Sequence, residues 1–235
     1  MTAFTAELIG TALLITMGNG VVANVLLGRS KGQGGGWIVI TMGWAMGVYI
    51  GVLVAGPYSG AHLNPAVTVA LAAAGRFAWD LAPGYIAAQL LGAALGSVLV
   101  WLSYRDHFQV EKDSGQILSI FGTGPQFPNP LNNFLTELIA TLVFMTAVLH
   151  LAAPKVGLGS LDALPVALVV LGIGLSLGGP TGYAINPARD FSPRLVHALL
   201  PIPAKGKSEW SYAWVPVLGP LAGALLAVAI FSVSR

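Results

Sequence analysis

The stretch Ser59-Gly-Ala-His-Leu-Asn-Pro-Ala-Val-Thr68 decides how this chain is read, because it places an Asn-Pro pair inside an otherwise apolar surrounding. Asn is a favoured helix N-cap and Pro a favoured first helical residue, so the pair starts a helix there. The apolar run Asn64 to Gly75 then amounts to about 18 Å of helix, half of what a bilayer's ~30 Å of hydrocarbon requires. A second pair, Asn186-Pro187, opens a run of similar length to Leu199. An Asn-Pro turn in a surface loop is the plain alternative; the apolar runs behind both copies argue against it.

The rest of the chain says what surrounds these half-helices. Of 235 residues 55% are hydrophobic and 9% charged, and the mean hydropathy is +0.77. That is too little charge to cover a soluble globule and too much apolar surface for disorder, so the chain belongs in a membrane. The formal charge of +2 is small and the Lys and Arg residues are spread over several loops, which excludes a nucleic-acid-binding face. With 0 Cys there is no disulfide frame. His62, His107, His150 and His197 fall in separate segments without metal-ligand spacing, so no metal and no cofactor is expected.

Six long apolar segments read as spans: Phe4 to Leu27, Gly36 to Ala55, Leu81 to Leu102, Asn133 to Ala153, Ala163 to Leu177 and Ala213 to Val233. The first has no basic stretch before it and is too long for the apolar part of a signal peptide, so it is expected to be retained. Charge collects between spans, at Arg29 to Lys31, Arg105 to Asp113 and Lys205 to Glu209. Gly43, Gly47 and Gly51, Gly92 and Gly96, and Gly219 and Gly223 stand at the spacing that lets helices approach closely. The expected fold class is an all-α membrane protein of six transmembrane helices plus two re-entrant half-helices.

An internal repeat orders these elements. Phe4-Thr-Ala-Glu-Leu-Ile-Gly-Thr11 matches Phe134-Leu-Thr-Glu-Leu-Ile-Ala-Thr141, and Gly56 to Ala66 matches Gly179 to Ala188. One transmembrane domain over residues 1–235 is therefore expected to divide into halves of about 1–125 and 126–235, each with three spans and one half-helix. Three is odd, so the second half inserts upside down, an inverted repeat. The half-helices then enter from opposite faces and meet near the midplane, where non-helical backbone survives only inside protein or along a wet cavity.

Two converging helix N-termini place partial positive charge, roughly half a unit each, at that meeting point. Cations and protons are repelled there and neutral solutes are not. The Asn64 and Asn186 side chains can cap their helices through oxygen and still present an amide N–H to a passing solute. Among the departures between the halves, Val67, three after Asn64, is matched by Arg189, three after Asn186. An arginine within the membrane is costly and reads as functional. Glu7 and Glu137 hold equivalent places in the repeated first spans. Their expected task is to hold the two buried loops, with His62 assisting, rather than to act as paired acids.

At these residues the chain resembles the aquaporin, or major intrinsic protein, family. The boxes Asn64-Pro65-Ala66 and Asn186-Pro187-Ala188 stand in the longer motifs SGAHLNPAVT and GYAINPARDFSPR, and the resemblance covers essentially the whole chain. It implies a homotetramer in the lipid bilayer with one pore per subunit, conducting passively with no cofactor and no catalysis. It also implies a narrow filter at Trp44, Gly174, Tyr183 and Arg189, positions reached by gap-free counting from the two Asn residues. Trp44 and Tyr183 would face the carbon edge of a small polyol while the Arg189 fork donates hydrogen bonds to its hydroxyls.

Gly174, where the water-selective branch usually carries His, together with Asp190, Arg194 and Pro216, looks like the glycerol-facilitator branch of bacterial plasma membranes. The expected solutes are glycerol, water and other small neutral molecules, with ions and protons excluded. Protonated lactic acid, urea and dihydroxyacetone stay open as principal solutes; a water-dominant pore is disfavoured by Gly174. A secondary transporter would need a carboxylate cluster to couple ions, and a junctional scaffold would need larger loops. The family topology puts Arg29, Arg105, Lys112, Lys205 and Lys207 outside and Arg76, Lys155 and Arg235 inside, against the positive-inside tendency. The short termini suggest no regulatory tail.

Overall fold

The computed structural model describes residues 1–151 and 159–233. In chain order its helices are α1 (Ala3–Leu26), α2 (Trp37–Ser59), α3 (Pro65–Ala73), α4 (Ala82–Ser103), α5 (Arg105–Val110), α6 (Ser114–Phe121), α7 (Pro130–His150), α8 (Leu164–Leu177), α9 (Pro187–Leu199) and α10 (Val215–Val233). Helices α1, α2, α4, α7 and α10 are long and apolar enough to cross a membrane. The fifth span in chain order, α8, has 14 residues, about 21 Å, and is preceded by a 3-10 turn over Gly159–Ala163. It is the shortest of the expected spans.

Several boundaries differ from the hydropathy reading, each for a local reason. Helix α2 continues past Ala55 to Ser59 and stops at Gly60, whose φ of 79° takes the left-handed turn. Helix α7 begins before Asn133, because Asn129 accepts a hydrogen bond from the Asn132 N–H and Pro130 follows as the first helical residue. This third Asn-Pro start lies ahead of the apolar run, where hydropathy does not look. The charged link between α4 and α7 folds into α5 and α6, which were not expected. Asp113 caps α6 through the Gly115 and Gln116 N–H groups, and Ile117, Ile120 and Phe121 are buried. Ala152 and Ala153 of the expected fourth span, and Lys155 and Arg235 of the orientation count, lie outside the described residues.

Helix α1 packs on α2 and α4, α7 packs on α10 and α8, and α8 meets α2, which closes the bundle. Each half-helix leans on spans of both halves: α3 on α4 and α10, α9 on α4 and α10. Lipid tails are as apolar as leucine, so this packing rests on close fit rather than on escape from water. The glycine faces supply that fit. A Cβ on Gly51 would stand 2.8 Å from the Gly10 carbonyl oxygen, and one on Gly96 would stand 2.6 Å from the Ala12 carbonyl oxygen. Alanine at either position would force the helices apart.

Candidate solute pathway

Two loops lead into the half-helices, and both run through unusual backbone. Ala61 and Leu63 in the first, and Tyr183 and Ile185 in the second, have φ of 52°, 53°, 39° and 45°. For residues with a Cβ each such angle costs on the order of 1 kcal/mol or more, so the surroundings must hold it. They do so through two carboxylates. Glu7 accepts from the His62 N–H at 2.9 Å and the Leu63 N–H at 2.7 Å, and also from Ser59 Oγ and Gln89 Nε2. Glu137 accepts from the Ala184 and Ile185 N–H groups, both at 2.9 Å, and from Thr181 Oγ1 at 2.7 Å. Both glutamates are fully buried.

His62 stands beside this network, its Nδ1 3.1 Å from Thr68 Oγ1 and its ring against Phe77 and Tyr85. Ser59, Gln89, Thr68 and Thr181 were not singled out in the sequence. Ser59 and Thr181 were within reach of it, since they occupy matching places in the repeat.

The asparagines join the two half-helices end to end. Asn64 Oδ1 accepts from the Ala66 N–H at 2.8 Å, and its Nδ2 donates to the Ile185 carbonyl at 2.9 Å. Asn186 Oδ1 accepts from the Ala188 and Arg189 N–H groups, and its Nδ2 donates to the Leu63 carbonyl at 2.9 Å. Each amide nitrogen has a second hydrogen beyond these bonds, and both asparagines border the same cavity. Pro65, Ala66, Pro187 and Ala188 are buried as the first residues of α3 and α9.

That cavity, of about 240 Å³, has a mixed lining. Val48, Val52, Val67, Phe144, Val166 and Val170 contribute apolar side chains. The loop residues 60–63 and 183–185 also border it. Among the described residues no donor reaches the carbonyls of Ala61, His62, Tyr183 or Ala184. These acceptors are open to a solute with hydroxyls on one edge and carbon on the other.

At one end stand Trp44, Tyr183 and Arg189. The Arg189 guanidinium lies 4.1 Å above the Trp44 ring, and among the described residues its buried Nη1 has no hydrogen-bond partner, nor has Tyr183 Oη. Gly174 does not border the cavity. It lies behind the Tyr183 ring: a Cβ there would be 2.8 Å from Tyr183 Cζ and 2.9 Å from Thr41 Cγ2. Trp37 completes the seat, donating from Nε1 to the Gly174 carbonyl at 2.8 Å and meeting Tyr183 edge-on. The room that the missing side chain of Gly174 leaves is occupied by the Tyr183 ring.

Asp190, Arg194 and Pro216 also lie behind the pathway rather than on it. Arg194 Nε meets Asp190 Oδ1 at 2.7 Å with both side chains fully buried. Arg194 also donates to the Thr123 and Ser208 carbonyls, and Asp190 accepts from the Thr123 N–H and Oγ1. Pro216 is buried in the first turn of α10. The cavity's far end carries a charged residue the sequence reading did not select, Asp162. Its signal was an isolated acid just before an apolar helix.

Two half-helices meeting nose to nose inside a ring of spans, beside a cavity that both of their asparagines border, define a membrane channel for small uncharged solutes. Residues 1–231 match the major intrinsic protein family, and the chain belongs to it. It is 52% identical over 232 residues to a probable glycerol uptake facilitator protein of Thermotoga maritima, with 99% of each chain covered. It is 50% identical to the glycerol uptake facilitator protein of Bacillus subtilis, over 95% of this chain and 81% of that one. Among solved structures, the aquaglyceroporin of Plasmodium falciparum superimposes with a TM-score of 0.83 at 29% identity, covering 97% of this chain and 93% of that one.

Proposed function

We propose that the chain is a passive channel of the cell membrane for glycerol and other small uncharged solutes, with water, and that it excludes ions and protons. One observation carries the reading: the Arg189 guanidinium, stacked on Trp44 beside Tyr183, makes no side-chain hydrogen bond to a described residue. Arg189 borders a cavity that is also lined by valines and Phe144, a combination that suits a polyol with hydroxyls along one edge and carbon along the other. Two helix N-termini and this fixed cation oppose entry of cations.

In this reading Trp44, Tyr183 and Arg189 select the solute and Gly174 seats Tyr183. Asn64 and Asn186 orient whatever passes the midplane, and Glu7, Glu137 and His62 hold the loops. Four copies assemble with one pore in each, as the short α8 and the exposed apolar residues of the spans allow. The test is stopped-flow light scattering on proteoliposomes, following water efflux and glycerol entry from one preparation. The unsubstituted protein should pass both. Gly174→His, whose imidazole must displace the Tyr183 ring toward the lumen, should abolish glycerol entry while water flow persists. Fast water with negligible glycerol in the unsubstituted protein would refute the assignment.

A further inference from the structure

Among the described residues bordering the cavity, two carry a formal charge of fixed sign, and they stand at opposite ends. Arg189 lies beside Tyr183, whose ring rests on Gly174 near the C-terminal end of α8. Asp162 lies in the turn before the N-terminal end of the same helix, so the two ends are separated by the rise of about a dozen residues, on the order of 18 Å. Leu71, Val148 and Leu151 are among the other described residues that border the cavity, and Asp162 itself is exposed.

We propose that Asp162 is a specificity-determining residue at the mouth opposite Arg189, where its carboxylate accepts the hydroxyl hydrogens of a polyol entering or leaving the pore. The inference rests on the glycerol-channel reading above. A polyol stepping from water into an apolar-walled cavity leaves its hydration shell, and a hydroxyl that finds no acceptor there is penalised. A carboxylate has two oxygens and about four acceptor positions, so it can receive two neighbouring hydroxyls and still keep an interaction with the protein. The pore thereby presents donors at the Arg189 end and an acceptor at the Asp162 end. Hydroxyls, being both donor and acceptor, are served at each. Water needs this help less, because neighbouring waters in file can replace the hydrogen-bond partners it leaves.

A purely structural task is the competing account, since an acid before a helix favours the positive N-terminal end of α8. The substitutions separate the two. Asp162→Asn removes the charge and one acceptor oxygen but retains a good residue for a helix start, and Asp162→Glu retains the carboxylate. Glycerol and water permeability are measured on proteoliposomes of all three proteins, full length, at equal protein density.

Asp162→Asn should lower glycerol entry roughly three- to tenfold, the weight of one net hydrogen bond, with water flow within about twofold of the unsubstituted protein. Asp162→Glu should restore most of the glycerol flow. Unchanged glycerol entry in Asp162→Asn, or an equal loss of glycerol and water, overturns the assignment to Asp162 while leaving the channel reading standing. An unsubstituted protein that passes water but no glycerol overturns the channel reading first, and this inference with it.

Discussion

The fourth residue of α3 is Thr68 and the fourth residue of α9 is Asp190, and that difference decides how each half-helix is fixed. Thr68 makes neutral hydrogen bonds: it accepts from Gln89 Nε2 at 2.9 Å, pairs with His62 and donates to the Asn64 carbonyl. Asp190 instead forms a fully buried ion pair with Arg194, which binds the Thr123 and Ser208 carbonyls. The glutamate cradle is repeated almost atom for atom, whereas the fixing of each half-helix is not. The half with the charged lock is also the half whose third helical residue is Arg189 rather than Val67. Pore-facing charge and a rigid buried mount occur together, and the other half has neither.

Breaking the charged lock should have the largest effect. Arg194→Met leaves Asp190 buried without its partner, at a cost of about 3–5 kcal/mol. Thr68→Val, which removes neutral hydrogen bonds, should cost only about 1–2 kcal/mol. Thermal unfolding of the purified proteins in detergent compares them, and equal losses would erase the contrast between the halves.

The cradles themselves sharpen the comparison at an intermediate scale. Glu137→Gln turns one acceptor oxygen into an NH2 group and orphans a buried backbone N–H, at about 1–3 kcal/mol. Glu7→Gln should be milder by roughly 1 kcal/mol, because Gln89 Oε1 is buried with no partner among the described residues and can turn to accept from the new amide. Both variants should keep the solute preference of whatever protein assembles. Equal destabilisation would mean that Gln89 does not adapt.

The smallest effect lies outside the membrane-embedded helices, on the α5–α6 link. The Glu111 carboxylate accepts from the Asp113 and Lys112 N–H groups and, across the bundle end, from the Gly28 N–H at 3.1 Å. The bond from Asp113, then those from Gly28 and Lys112, outweigh partial burial and hold its pKa below the ordinary carboxylate value. A lowered folded pKa stabilises the fold at pH above the ordinary value, and that contribution disappears as pH falls through the folded one. Glu111→Gln should therefore melt slightly below the unsubstituted protein at neutral pH, with the gap closing as pH drops below about 4. A gap that widens in acid would reverse the assignment.

Much of this was legible in the chain because membranes simplify the code. Asn64-Pro65 and Asn186-Pro187 read as helix starts since cap and first-turn preferences are local, and their depth followed from the apolar runs around them. The same signal at Asn129-Pro130 was passed over, since it sits among polar residues where a hydropathy count registers nothing. Gln89 gave no sign of its task, because its partner Glu7 is 82 residues away. Asp162 was similarly silent. A lone acid before a helix is ordinary, and only the fold shows that it borders the cavity.

By itself the sequence determined the membrane setting, the inverted repeat, the two half-helix starts and the place of one unmatched arginine, since periodicity, composition and capping are properties of neighbouring residues. Which groups meet across the bundle was decided by the tertiary structure alone. Gly174 became the seat of the Tyr183 ring, Asp190 and Arg194 a lock behind the pore, and Asp162 the charge at its far end, because those roles depend on distances between segments that no local preference encodes.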